Sequence, residues 1–286
     1  MKDFNNYLFR SSSVGNIINS TKRLSQAQSK KLNALELKET LTKNQEAEYH
    51  KLKHIELTQG KAFLSPGSKT YLNELFFQAK WKRTERIETL PMAKGNEKES
   101  ESRNLLSDVM GEFLLPDTER KSNKWVTGQR DVLHSDLIID LKTSWTFKTF
   151  SATLGDKPLK ELYLRQLDSY GNLWGISNAL LVYTLVDTPV RMVKSEIYKA
   201  ERYNGDLSID MIKEIVYNHI YTEKGLDLFI DDYTPAQKGW FADFVEIPKE
   251  SRINIIEHDI TPERIEERNE CILLARKYLN KLNDGE

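Results

Sequence analysis

Three features of this 286-residue sequence predict a mixed α/β (α+β) fold, a central sheet flanked by helices. Segments with helical spacing of apolar residues alternate with short apolar runs, and the central order is helix, hairpin, helix, strand. Two of those runs, LIIDLK at 137–142 and ALLVYTLVD at 179–187, are dense in leucine and β-branched residues, as buried strands are. Hydrophobic residues make up 39% and charged residues 30%, which suits a soluble chain that buries a sizeable core. One domain, 1–286, is expected, with a helical amino-terminal region over about 16–94. A core over about 95–188 and a helix-and-strand extension over about 189–286 complete it.

Each element has its own signal. Residues 1–20 carry a Ser cluster and then the apolar VGNII. Residues 25–57 are charged with Leu at helical spacing, which predicts a helical hairpin. SPG at 65–67 is a turn and an N-terminal cap for a helix over 68–83. A further helix is expected over 96–115, ending near Pro116, then a polar connection at 117–124 and a hairpin at 125–143. A loop to Pro158 leads to a helix over 159–175, and NALLVYTLVDTP reads as a buried strand closed by Pro189. Helices near 190–203 and 207–222 follow. Strands near 239–247 and 252–258 come next, then a capped helix from Thr261 to about 282.

Composition excludes several classes. No apolar run approaches the roughly 18–20 residues of a membrane span, and MKDFNNYLFRSSSVG lacks the apolar core of a signal peptide, so an intracellular, cytoplasmic protein is expected. The single Cys271 cannot form a disulfide framework or a cysteine zinc site. His50, His54, His134, His219 and His258 show no metal-binding pattern. A net charge of −1 does not suit passive coating of nucleic acid, so any such role needs local basic patches or metal ions.

The chemistry-bearing stretch is VTGQRDVLHSDLIIDLKTSW, 126–145, where Asp140 and Lys142 interrupt an otherwise apolar strand. Burying a carboxylate costs several kcal/mol unless it is compensated. With a two-residue turn at His134-Ser135, Leu133 would face Asp136 and Asp131 would face Ile138. Side chains alternate along a strand, so Ile138, Asp140 and Lys142 would share one face with Asp131 diagonal to Asp140. In the preceding helix, Leu106, Met110 and Phe113 mark a core stripe. Projected back by seven residues, it lands on Glu99 and leaves Glu97 toward solvent. Three inward carboxylates repel one another without a cation, and hard oxygen ligands suit Mg2+ or Mn2+. On the 159–175 helix, Leu159, Tyr163, Gln166, Tyr170 and Leu173 share a face. Gln166 there either bonds local backbone or contacts the acidic site or DNA. Arg10 and Ser12 either form a helix cap with an exposed Arg or bind an anion at free backbone N–H groups. Trp81, Trp125, Trp145 and Trp174 read as core packing rather than base stacking.

With these residues in place, the chain resembles the PD-(D/E)XK nuclease superfamily, and more closely the phage-type exonucleases of the lambda exonuclease and YqaJ-like group. Arg10, Ser12 and Gly15 match an Arg-x-Ser-x-x-Gly motif, and Gly95 to Glu99 is similar to the Gly-x-x-x-Glu helix that carries a metal-binding glutamate. GQRD at 128–131 with IDLK at 139–142 resembles the core Gly-x-x-Asp…(Asp/Glu)-x-Lys motif, with Arg130 where proline is usual. Gln166 and Tyr170 match the Gln-x-x-x-Tyr motif of RecB-like nucleases. The matches span residues 9–175.

The resemblance implies a restriction-endonuclease-like core with the site Glu99, Asp131, Asp140 and Lys142. A metal, Mg2+ or Mn2+, would be bound by Glu99, Asp131, Asp140 and the Leu141 carbonyl, with Arg10, Ser12, Gln166 and Tyr170 on DNA. It further implies digestion of linear double-stranded DNA from 5′ ends in phage recombination. A ring-shaped trimer and a single-strand annealing partner would go with it. Two other readings stay open: a restriction or defence endonuclease on the same core, and a catalytically dead DNA-binding or assembly protein.

Overall fold

The computed structural model describes residues 3–21, 24–38, 40–58, 60–85, 88–155 and 161–285. The mixed α/β class is observed, with helices outweighing three small sheets among the described residues. The amino-terminal strand β1 (Phe9–Arg10) leads to a 3-10 turn at Val14–Ile17 and then to the expected helical hairpin, α1 (Gln26–Glu36) and α2 (Lys43–Thr58). That hairpin closes on its own small core of Leu32, Leu35 and Leu52. Helix α3 (Pro66–Trp81) is capped by Ser65, whose side chain accepts from the Ser68 N–H, with Pro66 in the first turn. It packs with the amino-terminal segment and the last helix around Phe4, Phe9, Ile17, Leu72, Phe76 and Ile272.

The helix expected over 96–115 is two helices. They are α4 (Leu90–Glu97) and α5 (Glu99–Met110), which break at Lys98 and stop at Gly111 with φ 70°. A positive φ is where glycine has no steric penalty, so the chain turns there. Phe113 therefore lies beyond the helix and is 82% exposed, while Leu105, Leu106 and Ser102 take the buried stripe.

The expected hairpin at 125–143 is not formed. Strand β2 (Leu115–Pro116) and strand β3 (Lys121–Ser122) precede it, and its own pieces join three different sheets. Strand β4 (Val126–Gly128) lies between β1 (parallel) and β3 (antiparallel), and β5 (Val132–Leu133) pairs with β2. Strand β6 (Ile138–Thr143) pairs in parallel with β7 (Asn178–Thr184), which pairs antiparallel with β8 (Ile253–Asp259). Two local groupings break the two-residue turn. Arg130, buried against Asp117 at 2.5 Å, also donates to the His134 carbonyl at 2.8 Å. The His134 Nδ1 accepts the N–H groups of Asp136 and Leu137 at 3.1 Å. Leu133 and Asp136, and Asp131 and Ile138, are thus not cross-strand partners.

Between β6 and β7 run α6 (Phe147–Ser151) and α7 (Glu161–Trp174); Leu159 lies outside the described residues. The sheet is covered on both faces, which explains its near-continuous apolar strands. Ile139 and Leu141 meet Leu106 and Val182 on the α5 side, and Ile138 meets Leu167, Tyr170 and Leu181 on the α7 side. The remaining helices are α8 (Val190–Asn204), α9 (Ile209–Tyr217), α10 (Glu223–Phe229), α11 (Pro235–Lys238) and α12 (Pro262–Asp284). The strand expected near 239–247 is instead a 3-10 turn at Gly239–Phe241. The Thr234 and Gln237 capping box starts a helical turn there and delivers Phe241 into a core with Val216 and Phe229. Among the described residues no helix is long and apolar enough to cross a membrane.

Candidate active site

β6 is the edge strand of its sheet, so every second amide on its outer side needs a partner other than a strand. Asp131 supplies one: its Oδ2 accepts the Leu141 N–H at 2.9 Å. Because that N–H turns away from β7, the Leu141 carbonyl leaves the strand on the same outer edge. Asp140 and Lys142 alternate onto the α7 side, where the Lys142 Nζ stands 2.8 Å from Asp140 Oδ2. Lys142 also donates to Gln166 Oε1 at 3.4 Å and sits 4.8 Å from the centre of the Tyr163 ring. Gln166 Nε2 donates in turn to the Tyr170 hydroxyl at 3.0 Å. A continuous polar line from Asp140 through Lys142 and Gln166 to Tyr170 crosses an otherwise apolar helix face, and Gln166 bonds side chains, not local backbone.

α7 is fixed from behind. Asp168, wholly buried, takes Arg264 at 2.9 Å and His258 at 2.8 Å, which fastens the helix to α12 and β8. α5 is fixed by hydroxyls: Ser102 Oγ lies 2.8 Å from Thr143 Oγ1 and accepts from Thr184 Oγ1 at 2.8 Å. The amino-terminal motif packs on the same framework. A Cβ on Gly15 would fall 2.7 Å from Leu162 Cδ1 and 3.0 Å from its Cα, and one on Gly128 would fall 2.6 Å from both Ser11 Oγ and Tyr170 Cε1. Only glycine lets the backbone approach that closely.

A cavity of about 790 Å3 opens at the carboxyl end of β6, lined by Glu99, Asp131, Leu141 and Lys142 together with Met92, Trp145 and Tyr183. Asp140 lies beneath it with 0% exposure. Burial pushes its carboxyl up to about 7; Lys142 opposes the rise and Asp131 adds to it. Burial also raises Asp131, against the pull of Lys142 and the Leu141 N–H. Burial draws Lys142 down, but the charge and hydrogen bond of Asp140, with the charge of Asp131, together outweigh it, and its pKa stays above the ordinary lysine value. Glu99 stands at the rim, its side chain 52% exposed and 3.8 Å from Arg103, its pKa raised by partial burial and then by Asp131. Glu97 is exposed and pairs with Arg191.

Whether these residues suit a divalent cation can be judged from Asp140. Both of its oxygens are buried and accept no well-aligned hydrogen bond, the ammonium of Lys142 lying close but out of line. Lys142 is one positive charge beside two acids, Asp131 and Asp140, so a divalent cation would complete the charge balance, and the carboxylate and carbonyl donors are those that Mg2+ and Mn2+ take. The donor chemistry fits. Among the described residues, however, no three His, Cys, Asp or Glu side chains stand close enough together to enclose an ion, because Glu99 is turned to the rim toward Arg103.

Arg10 and Ser12 are exposed and do not line the cavity. The N-cap position of the 3-10 turn is held by Ser13, whose side chain makes no capping bond and accepts instead from the Tyr71 hydroxyl at 3.1 Å. Trp145, expected in the core, lines the cavity, and Trp81 is exposed. Sequence reasoning missed Lys94, buried behind Trp145, because Pro91 and Gly95 hide α4. Proline in a first turn is compatible with a helix and was the available signal.

In fold, the chain is similar to a phage-related exonuclease from Haemophilus somnus 129PT. The TM-score is 0.63 at 22% sequence identity, over 98% of this chain and 96% of that one. An alkaline exonuclease from Laribacter hongkongensis has a TM-score of 0.47 at 13% identity, over 77% of this chain and 86% of its own. Its complex with dAMP gives 0.48 at 13% identity, over 77% and 83%. No family model and no curated protein matches the chain. The likeness in fold agrees with the fold that the motif resemblance implies.

Proposed function

We propose, from the fold it shares with a phage-related exonuclease, that this chain is a metal-dependent deoxyribonuclease that digests linear double-stranded DNA from its ends. The observation that carries this is Asp140. A wholly buried carboxylate with no well-aligned hydrogen bond, beside Asp131 and 2.8 Å from Lys142, destabilises the fold, a cost that a functional role accounts for.

Asp131, Asp140 and the Leu141 carbonyl would hold Mg2+ or Mn2+, with Glu99 at the rim, and the ion would supply Lewis-acid polarisation of the phosphate and a lowered water pKa. The protein's own groups do the rest. Asp131, tied to the Leu141 N–H, keeps the edge of β6 in register with the cavity. Lys142, kept protonated by Asp140 and aimed by Gln166 and Tyr163, is the one cation of the β6 pair facing the cavity. It would contact the scissile phosphate or orient the nucleophile. The Gln166 to Tyr170 bond fixes the amide so that its oxygen, not its nitrogen, faces Lys142.

Digestion from 5′ ends, with Arg10 and Ser12 on the terminal phosphate, is the finer part of the proposal, as are a ring-shaped oligomer and an annealing partner. The test is digestion of 5′-phosphorylated linear duplex against the same duplex closed into a circle, with Mg2+ and with EDTA. Loss of the linear form alone, in Mg2+ alone, is expected; cutting of the circle would make the enzyme an endonuclease, and no cutting of either would leave it a binding protein.

A further inference from the structure

We propose that Trp145 is a base-stacking wall of the cavity, held in place by the buried ammonium of Lys94, and that it receives the nucleobase beside the phosphate faced by Lys142. This rests on the nuclease reading above.

Trp145 follows Lys142 by three residues, just past the end of β6, and lines the same cavity as Glu99, Asp131 and Lys142. A substrate phosphate drawn to Lys142 would carry its base toward an apolar wall. Three aromatic rings border that space. Tyr163 already has the Lys142 ammonium on its face, at 4.8 Å, and Tyr183 is packed edge-on against Tyr163 at 6.5 Å. Trp145, half-buried, packs in a T-shaped contact with His219 at 4.8 Å and 71°. Every base has a π-face, so such a wall tolerates any sequence, which suits an enzyme that must advance along DNA.

The backbone of Trp145 is held in an unusual way. Lys94, on α4, has 0% exposure and donates to the Trp145 carbonyl at 3.1 Å. Its Nζ also lies 6.0 Å from the Trp145 ring centre and 5.5 Å from that of Tyr221. The charged groups around it are Asp187, Lys98 and Glu101, with His219 behind the indole. None is an ion-pair partner among the described residues. Asp187 is occupied by the Tyr221 and Thr222 N–H groups and the Thr222 hydroxyl. One carbonyl does not offset the burial of an ammonium, and methionine would fill the same space at less cost. What the charge secures is the position of Trp145. Burial draws the Lys94 pKa down to about 7, as expected of an ammonium with so little compensation.

The experiment uses the full-length chain carrying Asp140→Asn, so that substrate survives, and fluorescence anisotropy with a labelled 5′-phosphorylated duplex. A second duplex lacks the terminal bases. Trp145→Ala should weaken binding to the intact duplex about tenfold, equal to about 1.4 kcal/mol. Trp145→Phe should stay within about threefold, and Trp145→Ala should no longer distinguish the two duplexes. Lys94→Met should lose affinity as Trp145→Ala does while melting no earlier than its parent. Equal binding by the parent and Trp145→Ala, or a penalty for missing bases that survives Trp145→Ala, would overturn the stacking wall. Earlier melting of Lys94→Met in step with its lost affinity would make Lys94 a packing residue and overturn its positioning role. A parent that binds neither duplex would overturn the nucleic-acid reading itself, and the stacking wall with it.

Discussion

Replacing Asp140 by Asn removes one negative charge from a residue with no exposed surface and keeps its shape. The wild-type carboxyl titrates near 7 in the folded chain against an ordinary value of 3.8, chiefly because burial disfavours the charged form. Below about 4 the group is protonated in both states and costs nothing. Between about 4 and 7 the unfolded chain ionises while the folded chain holds the proton, so stability falls as pH rises and levels off above about 7. Each factor of ten in acidity is worth about 1.4 kcal/mol, which sets a ceiling of about 4 kcal/mol on the destabilisation at pH 8. Lys142, 2.8 Å away, loses its counter-ion in the variant and takes back part of the gain. A net stabilisation of about 1–3 kcal/mol remains, or roughly 2–6 °C for a chain of this size. Thermal melts of both proteins in EDTA, from pH 4.5 to 8.5, should show a gap that is small in acid and full above about 7.5. Added Mg2+ should close the gap by stabilising the wild type alone, since only a bound state gains from ligand. An Asp140→Asn protein that melts earlier than wild type at pH 8, or a gap that does not change with pH, would refute the charge argument.

Four further perturbations bear on the rest of the site and the fold. Lys142→Met should abolish cleavage yet keep duplex binding within a few-fold, measured by gel digestion and anisotropy; Gln166→Leu, which leaves Lys142 unaimed, should slow cleavage about tenfold, the worth of a hydrogen bond to a charged group. Gly128→Ala forces a methyl to within 2.6 Å of Ser11 Oγ and Tyr170 Cε1 and should cost about 1–3 kcal/mol in urea denaturation. Arg10→Ala should slow digestion of 5′-phosphorylated ends about ten- to a hundredfold more than of 5′-hydroxyl ends; equal slowing would show that Arg10 serves only the fold.

What could be read in the sequence, and what could not, divides along the range of the forces involved. That Asp140 and Lys142 share a face follows from strand parity alone, whichever strand pairs with β6. The caps at Ser65 and Thr261 are equally local, each closing a bond to an N–H three residues on. The hairpin failed because its short strands find partners far away: β4 pairs with β1 more than a hundred residues upstream, and β6 pairs with β7 beyond α7. No spacing within 125–143 encodes those partners. Glu99 and Leu106 lie on the same helix, so the projection brings Glu99 to the cavity, but as the first residue of α5 it ends at the rim. Asp131 reaches the site by a route that parity did not foresee. As an edge strand, β6 leaves the Leu141 N–H without a ladder partner, and the Asp131 carboxylate supplies the acceptor. An unmade buried backbone hydrogen bond costs about 1–3 kcal/mol, so the fold itself has reason to hold Asp131 beside Asp140 against their mutual repulsion. The acid pair is assembled by a backbone requirement before any cation arrives, and the cost of burying Asp140 there, to which Asp131 adds, is what the Asp140→Asn melts would measure.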